Sequence, residues 1–176
     1  MRKLGVQLAV LAVLVVAALL TLAVTSATAK GDSRDVRARL DGFQETPTLS
    51  TTGHGQFRAR IRDNAIDYTL TYSDLEGGTT TQAHIHLGRP AIAGGVSAFL
   101  CGGAPPSSNK PACPNKSGTV TGTIVPSDVI GPANQGISPG EFDELVRAIR
   151  AGATYANVHT DKYPGGEIRG RIQVAD

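Results

Sequence analysis

The sequence predicts a mostly β protein: an antiparallel β-sandwich or flattened barrel of about eight strands, with one crossover α-helix at about 139–151. Three observations carry this. Apolar and polar residues alternate with a period of two over several short stretches, such as Phe57-Arg58-Ala59-Arg60-Ile61-Arg62. Gly, Pro, Asn and Asp clusters separate those stretches. A single segment, Phe142, Leu145, Val146 and Ile149, has helical spacing instead.

The elements follow in order. Arg2 and Lys3 precede an apolar run from Val6 to Val24, and Ser26-Ala27-Thr28-Ala29 supplies small residues at a signal-cleavage spacing. Residues 1–29 are therefore read as a signal peptide cut after Ala29; left uncut, the same run is long enough to anchor the chain in a bilayer. Residues 30–35 are polar and read as a flexible N-terminus, with the folded domain over 36–176. Val36 to Leu40 alternates and opens the sheet. Gln56 to Arg62 and Ala65 to Tyr72 form a hairpin about Asp63-Asn64, setting Arg58, Arg60 and Arg62 opposite Asp67, Thr69 and Thr71. Phe57, Tyr68 and Tyr72 fall on its core side. Thr80 to Leu87 is a strand with Gln82, His84 and His86 on one face and Ala83, Ile85 and Leu87 on the other. Val96 to Cys101 is a short apolar strand, and Gly118 to Val125 is a threonine-rich, β-branched one. Pro126 to Gly131 holds one helical turn at most.

Ser138-Pro139-Gly140-Glu141 has the pattern of a helix N-terminus, with Ser138 as cap, proline at the first helical position and glutamate completing a capping box. Gly152 ends that helix. Tyr155, Asn157 and His159 then alternate with Ala156 and Val158, Asp161 to Gly166 turns, and Glu167, Arg169, Arg171 and Gln173 alternate with Ile168, Gly170, Ile172 and Val174 in a closing strand.

Removing residues 1–29 from the 176-residue chain leaves 147 and takes away two of the 17 basic residues but none of the 15 acidic ones. The remainder has no net charge, so there is no bulk electrostatic case for nucleic acid as a partner. The membrane enters only through an uncut leader. Cys101 and Cys113 flank a loop without periodicity, and in an exported chain they read as a disulfide stapling it, worth on the order of 3 kcal/mol by chain entropy.

The segments Leu40-Asp41-Gly42-Phe43-Gln44-Glu45-Thr46-Pro47, Ala83-His84-Ile85-His86, Tyr155-Ala156-Asn157-Val158-His159-Thr160 and Pro164-Gly165-Gly166-Glu167-Ile168-Arg169-Gly170, in this order around one helix, resemble the CHRD domain first described in chordin. The resemblance runs from about Val36 to Ile172 and implies a β-sandwich and no established reaction. The Cys101–Cys113 loop is an insertion relative to the usual pattern.

Three chemistries compete for the histidines. His84 and His86, two apart on a strand, present both imidazoles on one face, and His159 from a neighbouring strand would complete a three-histidine site for copper or zinc. His54 is a weaker fourth candidate. His-x-His with a later Val-His and Arg169 is also similar to the copper half of Cu/Zn superoxide dismutase, which implies a copper enzyme. Four histidines do not fill that family's two-metal site, and the copper half alone would be one ligand short. The third reading is structural: His84 and His86 hydrogen-bond Asn157, Glu167 or backbone groups, as a supporting network of Asn157, Glu167 and Arg169. Arg169 reads as an ion-pair partner of a neighbouring strand before an anion site, and Arg37, Arg39, Arg58, Arg60 and Arg62 as a solvated face answered by Asp67 before a basic stripe for acidic polysaccharide. The sequence reading is an exported binding module without catalytic activity, with His84, His86 and His159 as a candidate copper or zinc site beside the structural reading, and with an extracellular ligand or protein as partner. The alternatives are the superoxide-dismutase-like enzyme and a structural protein tethered to the cell envelope by its leader.

Overall fold

Alternation at a period of two turns every second side chain to one face of a strand, and here that face closes on itself. The computed structural model describes residues 34–105 and 108–175; the leader read at 1–29 and residues 30–33 lie outside the described residues. Nine strands form one antiparallel sheet: β1 Asp35–Asp41, β2 His54–Arg62, β3 Ala65–Ser73, β4 Thr80–Leu87, β5 Gly95–Gly102, β6 Gly118–Ile124, β7 Thr154–Thr160, β8 Ile168–Arg171 and β9 Gln173–Val174. Their spatial order is β5-β4-β7-β8-β1-β2-β3-β6, with β9 pairing beside β1. The sheet curls into a nearly closed barrel, as the sequence predicts.

The inward residues make one core. Phe57, Ile66, Leu70, Ile85, Leu100, Ile124, Val158 and Ile168 are fully buried, each removing apolar surface worth about 1.5–3 kcal/mol from water. Tyr68 and Tyr72 lie among them, with hydroxyls donating to the carbonyls of Leu100 at 2.6 Å and Pro114 at 2.5 Å; burial pushes both phenols up to about 12. The one α-helix among the described residues, α1, spans Phe142–Arg150 and buries Phe142, Leu145, Val146 and Ile149 into the same core.

α1 begins three residues later than the sequence predicts. Gly140 sits at φ +86°, a left-handed conformation that no helix continues through, so Ser138 and Pro139 lie outside it and Glu141 is the cap. The glutamate half of the expected capping box survives, with Ser138 N donating to Glu141 Oε2 at 2.6 Å. Gly152, at φ +61°, closes the helix as predicted. The closing strand, expected to be continuous, divides into β8 and β9 at Ile172, whose N–H turns to the carbonyl of Thr154 at 2.9 Å.

Cys101 and Cys113 are joined in a disulfide. Inside the loop they close, Gly102 N donates to Pro111 O at 2.8 Å and Ser108 Oγ to Gly102 O at 2.6 Å.

The outward face divides in two. Over β1 and β2 it carries exposed Arg37, Arg39, Arg58 and Arg60. Over β4, β7 and β8 it is buried beneath loops, although its residues are polar.

Candidate functional site: a buried histidine cluster on the outer face

Strand pairing assembles the site. In the β4–β7 register Gln82 faces His159, His84 faces Asn157, and His86 faces Tyr155; in β7–β8 Asn157 faces Arg169. Directly opposed residues share a face, so His84, His86, His159, Tyr155, Asn157 and Arg169 form one polar patch on the outside of the barrel. It is nonetheless buried: exposure is 2% at His84, 8% at His86 and 4% at His159. Three covers close over it: the segment after β1 from Gly42 to Thr46, the β4–β5 loop through Gly94, and the turn between β7 and β8 through Pro164.

The three imidazoles converge. His84 Nδ1 lies 2.7 Å from His86 Nε2, the rings of His84 and His159 are centred 4.4 Å apart, and one ring nitrogen from each of the three lies within 4.8 Å of the others. The outer nitrogens are held by backbone carbonyls: His86 Nδ1 donates to Gly94 O and His159 Nδ1 to Pro164 O, each at 2.9 Å. A carbonyl only accepts, so both rings carry their proton on Nδ1 and turn the Nε2 lone pair inward. His86 Nε2 accepts from His84. His159 Nε2 is buried and has no hydrogen-bond partner among the described residues. Phe99 stands edge-on to His84 at 5.0 Å, and His86 stacks flat on Tyr155 at 4.7 Å.

Burial sets the protonation of the cluster. It pushes His84 down to about 2, helped by His159 and His86, and His86 down to about 4 against the opposing bond to Gly94. It lowers His159 as well, against the bond to Pro164. All three rings are neutral at pH 7, the form that binds a metal.

The predicted supporting residues lie close by but do other work. Asn157 Nδ2 donates to Glu45 Oε1 at 2.7 Å and to Ile168 O at 2.9 Å. Glu167, fully buried, accepts from Thr51 Oγ1 at 2.8 Å, Glu76 N at 2.6 Å, Gly77 N at 3.0 Å and Thr160 Oγ1 at 2.8 Å. Among the described residues neither bonds a histidine: of the partners the structural reading offered, the histidines take backbone carbonyls, and one another, while Asn157 and Glu167 tie down loops. Arg169 donates to Gln44 O, Thr46 Oγ1 and Ile92 O, lies 4.7 Å over the Tyr155 ring and pairs with Glu45 at 3.8 Å. Its ion-pair partner thus comes from a loop, not a strand. His54 stays apart, exposed on β2, bonded to Thr52 O at 3.1 Å and Ser73 Oγ at 3.0 Å.

Glu45 is the residue that sequence reasoning passed over. Burial raises its carboxyl to about 7, against the opposing pull of Asn157 and Arg169. Gly166, at φ +126°, is required next to it, because a Cβ there would meet Glu45 Oε1 and Asn157 Nδ2 at 2.6 Å. The only sequence signal for Glu45 is its place in the segment Leu40 to Pro47 that carries the CHRD resemblance.

The CHRD domain family model matches residues 36–172, and the chain belongs to that family. This membership supports a binding module, and together with the disulfide it is consistent with an extracellular protein. No curated protein matches the chain.

Proposed function

We propose that this protein is an exported metal-binding module in which His84, His86 and His159 hold one copper or zinc ion. The observation that carries the reading is His159 Nε2: a buried lone pair with no partner among the described residues, in a cluster with two further imidazoles. Leaving such a nitrogen unpaired costs about 1–3 kcal/mol, and an ion in the cluster would remove that cost. Bonds from the outer nitrogens to Gly94 O and Pro164 O are the arrangement that orients metal-ligating imidazoles. Three neutral nitrogen ligands suit copper or zinc. The binding ion would displace the His84–His86 hydrogen bond. Depth of burial favours holding the ion over turning over a substrate, because a catalytic metal keeps an accessible position. The protein is therefore read as a binding module, not an enzyme.

The test is metal content by elemental mass spectrometry on protein purified without chelator or affinity histidines and then offered copper and zinc. Near-stoichiometric metal in the parent, lost in His84→Ala and His159→Ala, is the expected result. Metal-free parent protein, with both substitutions lowering only the melting temperature, would leave the histidines as fold-specifying hydrogen-bonders.

A further inference from the structure

The exposed half of the outer face forms a trough of about 1100 Å³. Its walls carry Arg37, Arg39, Arg58, Arg60 and Arg171, with Asp35 and Asp67 the carboxylates that line it among the described residues. Asp67 and Asp35 both stand directly opposite Arg60 in the strand registers, but of the arginines it was expected to answer Asp67 makes an ion pair only with Arg62, outside the trough, among the described residues. It also accepts from Thr123 Oγ1 at 2.9 Å. Arg37 and Arg58 instead face each other directly across β1 and β2, a like-charge opposition that a sheet avoids unless something else compensates it. The guanidinium groups of Arg37, Arg39, Arg58 and Arg60 have no hydrogen bond or ion pair among the described residues.

From these we infer that the trough is a binding site for an acidic polysaccharide, independent of the histidine cluster. Charges two residues apart along β1 and β2 repeat about every 7 Å, and the two strands set a second row about 5 Å away. That is an array for a chain with repeated carboxylates or sulfates. All five cations are arginines, whose planar forks engage such groups bidentately. Between them stand Gln56, Gln173 and Thr69, whose amides and hydroxyl match sugar hydroxyls. The other polyanions fit less well. The one aromatic residue in the lining, Tyr68, is buried in the core with its hydroxyl on Leu100 O, so the trough offers no platform for stacking bases. A bilayer surface is flat and reaches the rim of a concavity but not its floor.

The experiment is binding of the purified protein to immobilised polygalacturonate and heparin, against salt. Retention of one or both at about 0.15 M ionic strength, weakening with added salt, is expected. Arg37→Ala with Arg58→Ala should weaken it about tenfold or more at unchanged fold by circular dichroism. Arg147→Ala with Lys162→Ala removes the same charge from exposed positions elsewhere and should leave binding within about twofold. The inference is overturned by failure to bind either glycan, by equal loss in the two variant pairs, or by tighter binding to single-stranded DNA or phosphatidylglycerol vesicles.

Discussion

His84 donates its Nδ1 proton to His86 Nε2 across 2.7 Å, and it can do so only because His86 has already committed its own proton to Gly94 O. The pair is thus locked neutral, with burial holding His84 near 2 and His86 near 4. An ordinary histidine site competes with protons near pH 6.5 and loses metal affinity steadily below it. This one should not. Affinity for zinc, measured by competition with a chromophoric chelator, is expected to change less than about threefold between pH 7 and 5.5 once the chelator's own protonation is subtracted. Calorimetry at pH 7 in two buffers of different ionisation enthalpy should show near-zero proton release. Release of one proton or more per ion would mean that the rings are protonated in the free protein.

The same shifts make the metal-free fold acid-sensitive. The folded pKa values of His84, His86 and His159 all lie below that of a free imidazole, so below about pH 6.5 the unfolded chain takes up protons that the folded one refuses, and stability falls as pH falls. Each such group contributes a slope of about 1.4 kcal/mol per pH unit at most. Glu45 acts in the opposite sense. Its folded value of about 7 exceeds the usual 4.5, so its contribution is present at low pH and is lost as pH rises through that window. With three groups against one, chelated protein should lose urea stability from pH 6.5 to 5. Glu45→Gln removes the opposing group and should steepen that loss. A shallower loss in the variant would contradict the assigned protonation of Glu45.

Glu167 supports the fold and lies outside the proposed metal site. Its two oxygens accept four hydrogen bonds from Thr51, Glu76, Gly77 and Thr160, which pin two loops to the β7–β8 hairpin. In Glu167→Gln one acceptor becomes a donor facing N–H or O–H donors, at a cost of about 3 kcal/mol. The midpoint of urea denaturation should fall accordingly while metal stoichiometry stays that of the parent. Loss of metal at undiminished stability would instead place Glu167 in the site.

How far the sequence reaches is visible in two residues of β7. Alternation placed Asn157 and His159 on one polar face, and the structure keeps them there. It could not show that this face is buried, because polar outward residues ordinarily meet water, and burial here depends on Glu45 reaching Asn157 across 112 positions of sequence. No local pattern encodes that closure. Gly140 shows the complementary failure. Ser138, Pro139 and Glu141 satisfy the local rules for a helix start, but the left-handed backbone at Gly140 defers the helix to Phe142, the first residue whose side chain reaches the core. The strands were legible because their period is short and their turns are marked by glycine, proline and asparagine. The loop partners Glu45, Thr51, Glu76 and Gly77 of Asn157 and Glu167 were not, because they lie about 90 or more positions away in sequence.

Arg37 offers a test in which stability and binding move in opposite directions. It faces Arg58 directly, an opposition that costs roughly 0.2–1 kcal/mol. A residue kept for the fold alone would be improved by reversing its charge. Arg37→Glu replaces the repulsion with a cross-strand pair and should raise the melting temperature by about 1–2 °C. If the trough holds an acidic chain, the same substitution puts a carboxylate among its ligands and should weaken polygalacturonate or heparin binding more than Arg37→Ala does. A variant that is more stable and binds as well as the parent would show that Arg37 serves neither purpose. One that is less stable would show that the two guanidinium groups are held apart by more than their mutual repulsion.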